Sequence, residues 1–159
     1  MLKVIKKWLS GEDENQFPSP FTNKILQYCN ALDWNVSIHS EMHITVGFSF
    51  DDDRTQLVHI SHTGQIAEQE ILQISSAVAK LDDIEDQLDQ DFFNELLKLN
   101  ALAPNYSWAI ETIDEEVEYL VASSDQVLDT LDVNELAAAV YIVAGAADEM
   151  ESCFGLDNY

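Results

Sequence analysis

Basic residues are scarce in this chain. Its 159 residues include seven Lys and Arg against thirty Asp and Glu, a formal net charge of −23 with a pI near 4.1. A body this acidic repels phosphate backbones and anionic headgroups, which excludes direct nucleic-acid binding. Cysteine is rare too: Cys29 and Cys153 both lie in or beside apolar helical patterns and read as buried free thiols, and a chain of this length needs no disulfide framework. Five glycines, Gly11, Gly47, Gly64, Gly145 and Gly155, form neither a phosphate loop nor a dinucleotide fingerprint. No Gly-x-Ser-x-Gly is present, and paired carboxylates are too abundant to mark an acid–base site, so the sequence holds no catalytic residue and no cofactor motif. The longest apolar run, Leu136 to Ala147, is too short to span a membrane. With no signal-peptide pattern at the N-terminus, the expected location is cytoplasmic.

Three of the seven bases, Lys3, Lys6 and Lys7, fall in the first seven positions. The leader would place Leu2, Ile5, Trp8 and Leu9 on one side of a helix and its lysines around the other, suited to folding back on the acidic body. Residues 10–16 read as an acidic linker. The expected organisation is a leader and linker over 1–17, one domain over 18–153 and a tail over 154–159.

Within the domain, Ser19-Pro20 is a helix start, with serine as N-cap and proline in the first turn. Phe21, Ile25, Cys29 and Leu32 line one face of that helix, which ends at Asp33-Trp34. The period then changes to two. Met42, Ile44, Val46, Phe48 and Phe50 alternate with His43, Thr45, Gly47 and Ser49 as a half-buried strand, extended backwards through Ile38, Val36 and Trp34 with a bend near Ser40-Glu41. Gln56–Ile60 is a second strand after the Asp51-Asp52-Asp53-Arg54 turn, and Thr63-Gly64-Gln65 reads as another turn. The segment Ile71–Leu81 fits a helix or a strand equally well. A helix over Leu88–Leu102 follows, its expected buried stripe made of Phe92, Leu96, Leu99 and Leu102 with Phe93 and Leu97 alongside, and Pro104-Asn105 stops it. Tyr106–Ile110 and Val117–Val121 form a hairpin around Asp114-Glu115. The last helix opens at Asp132-x-x-Glu135, a variant capping box, and runs without a charge from Leu136 to Ala147. Either that uncharged stretch is covered on two sides, with a homodimer through Leu136, Val140, Tyr141, Val143 and Ala144 as the simplest source, or the small Ala137, Ala138 and Ala139 sit in water at little cost.

The motifs Leu96-Leu97-Lys98-Leu99-Asn100-Ala101, Tyr106-Ser107-Trp108-Ala109-Ile110, Thr130-Leu131-Asp132 and the helix ending Ala147-Asp148-Glu149-Met150 resemble the YbjN family, whose fold is that of the type III secretion chaperones. The resemblance spans roughly residues 33–151. It implies that Glu70–Ala77 is a third strand, giving the order α-β-β-β-α-β-β-α. The expected fold is therefore α+β, an antiparallel sheet of about five strands with helices on one face. Secretion chaperones are small, acidic, often dimeric proteins that hold unfolded segments of exported proteins without ATP; YbjN-type proteins are described more broadly, as regulators or chaperone-like proteins. What the resemblance implies is an acidic scaffold that binds another polypeptide, with no catalytic residue carried over; the charge of −23 points to a partner of basic character.

Two other functions follow from residue chemistry. His43 and His59, with His39 if the bend keeps the alternation, would share the outer sheet face, but their spacing matches no metal-ligand motif and no metal site is assigned. Asp51-Asp52-Asp53 and Asp82-Asp83-Ile84-Glu85-Asp86 supply hard oxygens without the glycine and glutamate of an EF-hand, which makes a calcium-responsive or metal-buffering protein the alternative. An acidic mimic of nucleic acid is third, and would need carboxylates at phosphate-like spacing along one ridge.

Overall fold

The computed structural model describes residues 19–50, 54–103, 105–113 and 116–156. The leader and linker therefore lie outside the described residues, as do Asp51, Asp52 and Asp53. The chain runs α1 (Pro20–Ala31), β1 (Val36–Ser40), β2 (His43–Ser49), β3 (Thr55–Ile66), β4 (Gln69–Lys80), a 3-10 helix (Leu81–Gln87), α2 (Gln90–Leu102), β5 (Ser107–Ile113), β6 (Val117–Val127) and α3 (Val133–Phe154). The strands form one six-stranded sheet in the order β1-β2-β3-β4-β6-β5, antiparallel at every pairing. The helices cover one face.

The sixth strand comes from the expected bend. At Glu41-Met42 the chain does not bend but reverses, and Val36 pairs with Val46 and Ile38 with Ile44. One long strand becomes a two-residue hairpin, which lifts Met42 from the core face to the turn, where it is exposed. The side chains of Ser19 and Thr22 both donate to the Glu41 carbonyl, at 2.7 and 2.8 Å, fastening the start of α1 to this reversal.

The Thr63-Gly64-Gln65 turn is also corrected. Gly64, at φ +131°, sits at a bulge that lets β3 continue to Ile66. The reversal falls at Ala67-Glu68, both with positive φ, the geometry of a type I′ hairpin turn made without glycine. Ile71–Leu81 resolves into a strand because its neighbours on both sides are strands: β4 sits between β3 and β6, with Ile74 opposite Ile60 and Ser124. A segment ambiguous by period is settled by what flanks it.

The core is the inner face of this sheet under α1 and α3. Ile44, Val46, Val58, Ile60, Leu72 and Ile74 have no exposure, and Ile25, Cys29, Leu136, Val140 and Val143 close over them with none either. Burial pushes the Cys29 thiol up to about 12, so it is inert. Cys153, expected to be buried, is exposed in the last turn of α3. The predicted caps form as written: Ser19 accepts from the Thr22 amide, and Asp132 and Glu135 close a reciprocal capping box. Gly155, in the left-handed conformation, terminates α3. Phe154 and Leu156, assigned by sequence to a tail, pack against the core.

Candidate binding surface

The long uncharged stretch of α3 is covered from within the chain. Leu136, Val140, Val143 and Ala144 have no exposure and lie in the core beneath the sheet, so these four offer no surface to a second copy. The two-sided cover is supplied by the sheet and by α1, whose Tyr28 hydroxyl donates to the Leu131 carbonyl at 2.8 Å and whose Lys24 ammonium donates to the carbonyls of Leu128 and Asp129. Tyr141 alone of the five remains exposed, and it packs edge-on against Trp34 with Phe48 beside it.

Exposed apolar surface appears instead on α2. Of its expected buried stripe only Leu96 is buried, with Phe92 partly so. Phe93, Leu97, Leu99 and Leu102 are exposed, Leu97 at 67% and Leu102 at 79%. The reason is lateral position: α2 packs on β5, at the end of the sheet, and among the described residues no second layer lies above it. Ile110 of β5 is exposed beside it, and a groove of about 260 Å³ lies between them, lined by Phe93, Leu97, Asn100, Trp108 and Ile110. Leu99 and Leu102 lie on the other flank of α2, and scattered apolar residues need no explanation, but Phe93, Leu97 and Ile110 gathered in one groove between a helix and the adjoining strand do.

The strand beside the groove is a sheet edge. Among the described residues β5 pairs only with β6. Asn100 occupies part of the free side: its Oδ1 accepts from the Trp108 amide at 2.6 Å and its Nδ2 donates to the Trp108 carbonyl at 3.1 Å. One side chain thus replaces a neighbouring strand for one residue. By the alternation of an antiparallel strand, the outward amides and carbonyls of β5 beyond that clamp belong to Ile110 and Thr112. Burial, with Asp125 adding to it, raises the Glu111 carboxyl above its ordinary range.

On the opposite sheet face the three histidines do come together. His39 stacks on His43 with centroids 4.8 Å apart, His43 on His59 at 5.2 Å, and His43 Nε2 lies 3.0 Å from His59 Nδ1. His39 Nε2 is 2.9 Å from the Thr45 hydroxyl. The reversal at Glu41-Met42, rather than a bend, brings His39 beside His43. The rings stack and do not converge on one point; among the described residues no group of three or more His, Cys, Asp or Glu is arranged to hold a metal ion. Burial, and for each ring its histidine neighbours, lower the pKa of His43 and His59. The Asp82-Asp83 cluster forms the first turn of the 3-10 helix, where its charges suit the helix N-terminus.

No family model matches the chain, and no curated protein matches it by sequence. Among solved structures, a chain from the crystal structure of the ExsC–ExsE complex is similar over 86% of this chain and 95% of that one, with a TM-score of 0.53 at 13% identity. The two share a fold. YbjN from E. coli is similar over 85% of this chain and 88% of its own, with a TM-score of 0.49 at 12% identity. The α+β architecture expected from the sequence is thus present, with one strand more than the resemblance implied. Among the described residues no helix is long and apolar enough to cross a membrane.

Proposed function

We propose that this protein is a noncatalytic, chaperone-like module of the cytoplasm that binds another polypeptide, of basic character, along α2 and the edge of β5. The observation that carries this reading is the exposed apolar groove of Phe93, Leu97 and Ile110 beside the outward groups of the edge strand, on a chain of charge −23. Apolar contact in the groove supplies affinity, and the open edge supplies main-chain hydrogen bonds to an extended segment. The acidic body attracts basic segments and speeds their encounter, an effect that salt screens. The fold shared with a chain of a two-protein complex supports a binding role in this reading. The calcium-responsive alternative has no ligand arrangement in its favour among the described residues.

The homodimer expected from α3 is proposed here on α2 and β5, since these elements carry the apolar surface that α3 lacks. The test compares the wild-type chain with Leu97→Asp and Ile110→Asp, both exposed positions. Partners captured from the protein's own lysate at low salt are expected to be lost in both variants, and their association to slow in about 0.5 M salt, where charges more than about 3–5 Å apart are screened. Solution mass separates the two occupants: a dimer halved in mass by Leu97→Asp places a second copy on the strip. Capture indifferent to both substitutions would remove the reading, as would turnover of a small molecule.

A further inference from the structure

Asp148 and Glu151 stand one turn apart on α3 and continue the same face as Val140, Ala144 and Ala147. Both are buried, at 8% and 4% exposure, in a position that the helix otherwise fills with apolar side chains. Arg54, at the start of β3, approaches from the sheet: its Nη2 lies 3.3 Å from Asp148 Oδ2 and its Nη1 donates to the Ser152 hydroxyl. Gln56, two residues on, is buried as well, and its Oε1 accepts from the Ser76 hydroxyl at 2.8 Å. Among the described residues the cluster therefore holds one guanidinium and two carboxyl groups. Three of its polar atoms, Arg54 Nε, Asp148 Oδ1 and Glu151 Oε1, have no hydrogen-bond partner among the described residues.

Charge counting decides what is missing. Arg54 neutralises one carboxylate, and its contact is with Asp148. A second ionised carboxylate in the same dry space would be an uncompensated buried charge, which proteins avoid by neutralising the group. A metal cation is a poor neutraliser here because the guanidinium already occupies the anionic side. A proton is a good one: it removes the excess charge and turns a carboxylate into a hydroxyl donor within a cluster that holds orphaned acceptors.

We propose that Arg54, Gln56, Asp148 and Glu151 form a proton-binding latch, in which Glu151 takes up a proton when the end of α3 closes on the start of β3 and releases it when that end loosens. Burial raises the Glu151 carboxyl to about 7; the Gln56 amide and Arg54 draw it down while Asp148 pushes it further up. The groups bearing on it from β3 are Arg54 and Gln56, β4 contributes the uncharged Ser76, and α2 meets this end of α3 through Phe92 against Phe154. The carboxyl is thus poised to change state in the neutral range.

The sign follows from linkage. A carboxyl whose pKa is higher folded than unfolded holds its proton in the native state after the unfolded chain has lost it, so stability falls as pH rises from the ordinary carboxylate range to about 7 and levels off beyond. Glu151→Gln mimics the protonated form. Urea unfolding of the full chain between about pH 5.5 and pH 8.5 is expected to show wild type losing stability relative to the variant as pH rises, by about tenfold in the unfolding constant per pH unit while the two states differ by one proton. Every other ionisable group is common to the two chains and cancels in the difference. A second measurement needs no difference in stability: a carbon-detected titration of the glutamate carboxyls should contain one midpoint near 7, absent from Glu151→Gln. Arg54→Met should move that midpoint upward. A wild-type chain in which every glutamate titrates below about 5.5, or a Glu151→Gln chain whose stability tracks wild type across the range, overturns the proposal.

Discussion

Asn100 illustrates what a single side chain does at the end of a sheet. Both of its polar atoms are used on one residue of β5, and α2 is held to the edge strand through them. Asn100→Ala leaves the amide and carbonyl of the largely buried Trp108 to find water, at a cost of about 1–2 kcal/mol. Faster hydrogen exchange at the Trp108 amide, with the β6 partners unaffected, is the expected signature. The histidine stack is the other residue-scale feature with a measurable consequence. His43 and His59 share a hydrogen bond that needs one donor and one acceptor, so protonating both breaks it. Their pKa values lie below the ordinary imidazole value, so the unfolded chain binds protons that the folded chain refuses. The stability these two contribute is complete above about pH 6.5 and is lost as pH falls toward their folded values. Replacing both with Gln should flatten this acid limb, seen as a smaller drop in melting temperature between pH 7 and about pH 5. The Glu151 latch slopes the opposite way, and the two limbs separate by mutation.

Elements are where local and tertiary preferences disagree most visibly. The β3–β4 hairpin turns on Ala67-Glu68, two residues that pay a steric penalty for positive φ, while the nearby glycine is spent on a bulge. Asn-Gly at 67–68 relieves that penalty and should stabilise the chain by about 1 kcal/mol, read as a raised urea midpoint with an unchanged slope. Period-two alternation correctly places Ile44, Val46, Val58 and Ile60 on the core face and His43 and His59 opposite. It is blind to direction, because a strand that bends and a strand that reverses carry the same alternation, and Glu41-Met42 contains no glycine, asparagine or proline to announce a turn. For α2 the pattern finds the helix and its apolar stripe, and Asp89 caps it. What the pattern leaves out is whether anything lies above the stripe.

At the scale of the whole molecule, the three helices among the described residues lie on one face of the sheet and leave its β5 end partly open. α1 and α3 fill the middle and β1 side, while α2 packs mainly on β5 and keeps Leu97 and Leu102 in contact with water. The apolar surface sought on α3 is found on α2 for this reason: a central helix is covered by its own chain, and a lateral one is not. The same central position accounts for the latch. Asp148 and Glu151 extend the buried face of α3 past its apolar stretch, and acids at the i, i+3 and i+4 spacing of a core stripe were the one sequence signal of a buried charge cluster.

Local chemistry and periodicity were sufficient for the helices α1, α2 and α3, the caps of α1 and α3, the inward faces of Ile44, Val46, Val58 and Ile60 and the acidic charge, because each of these depends on residues close together along the chain, whereas the class of fold came from the resemblance to the YbjN family. The reversal at Glu41-Met42, the assignment of β4 to a strand, the exposure of α2, the clamp of Asn100 on Trp108 and the meeting of Arg54 with Asp148 and Glu151 depend on contacts between distant segments. Whether an apolar residue becomes core or binding surface, and whether a carboxyl is solvated or sealed, is set by what packs above it, and that is a property of the assembled sheet and helices alone.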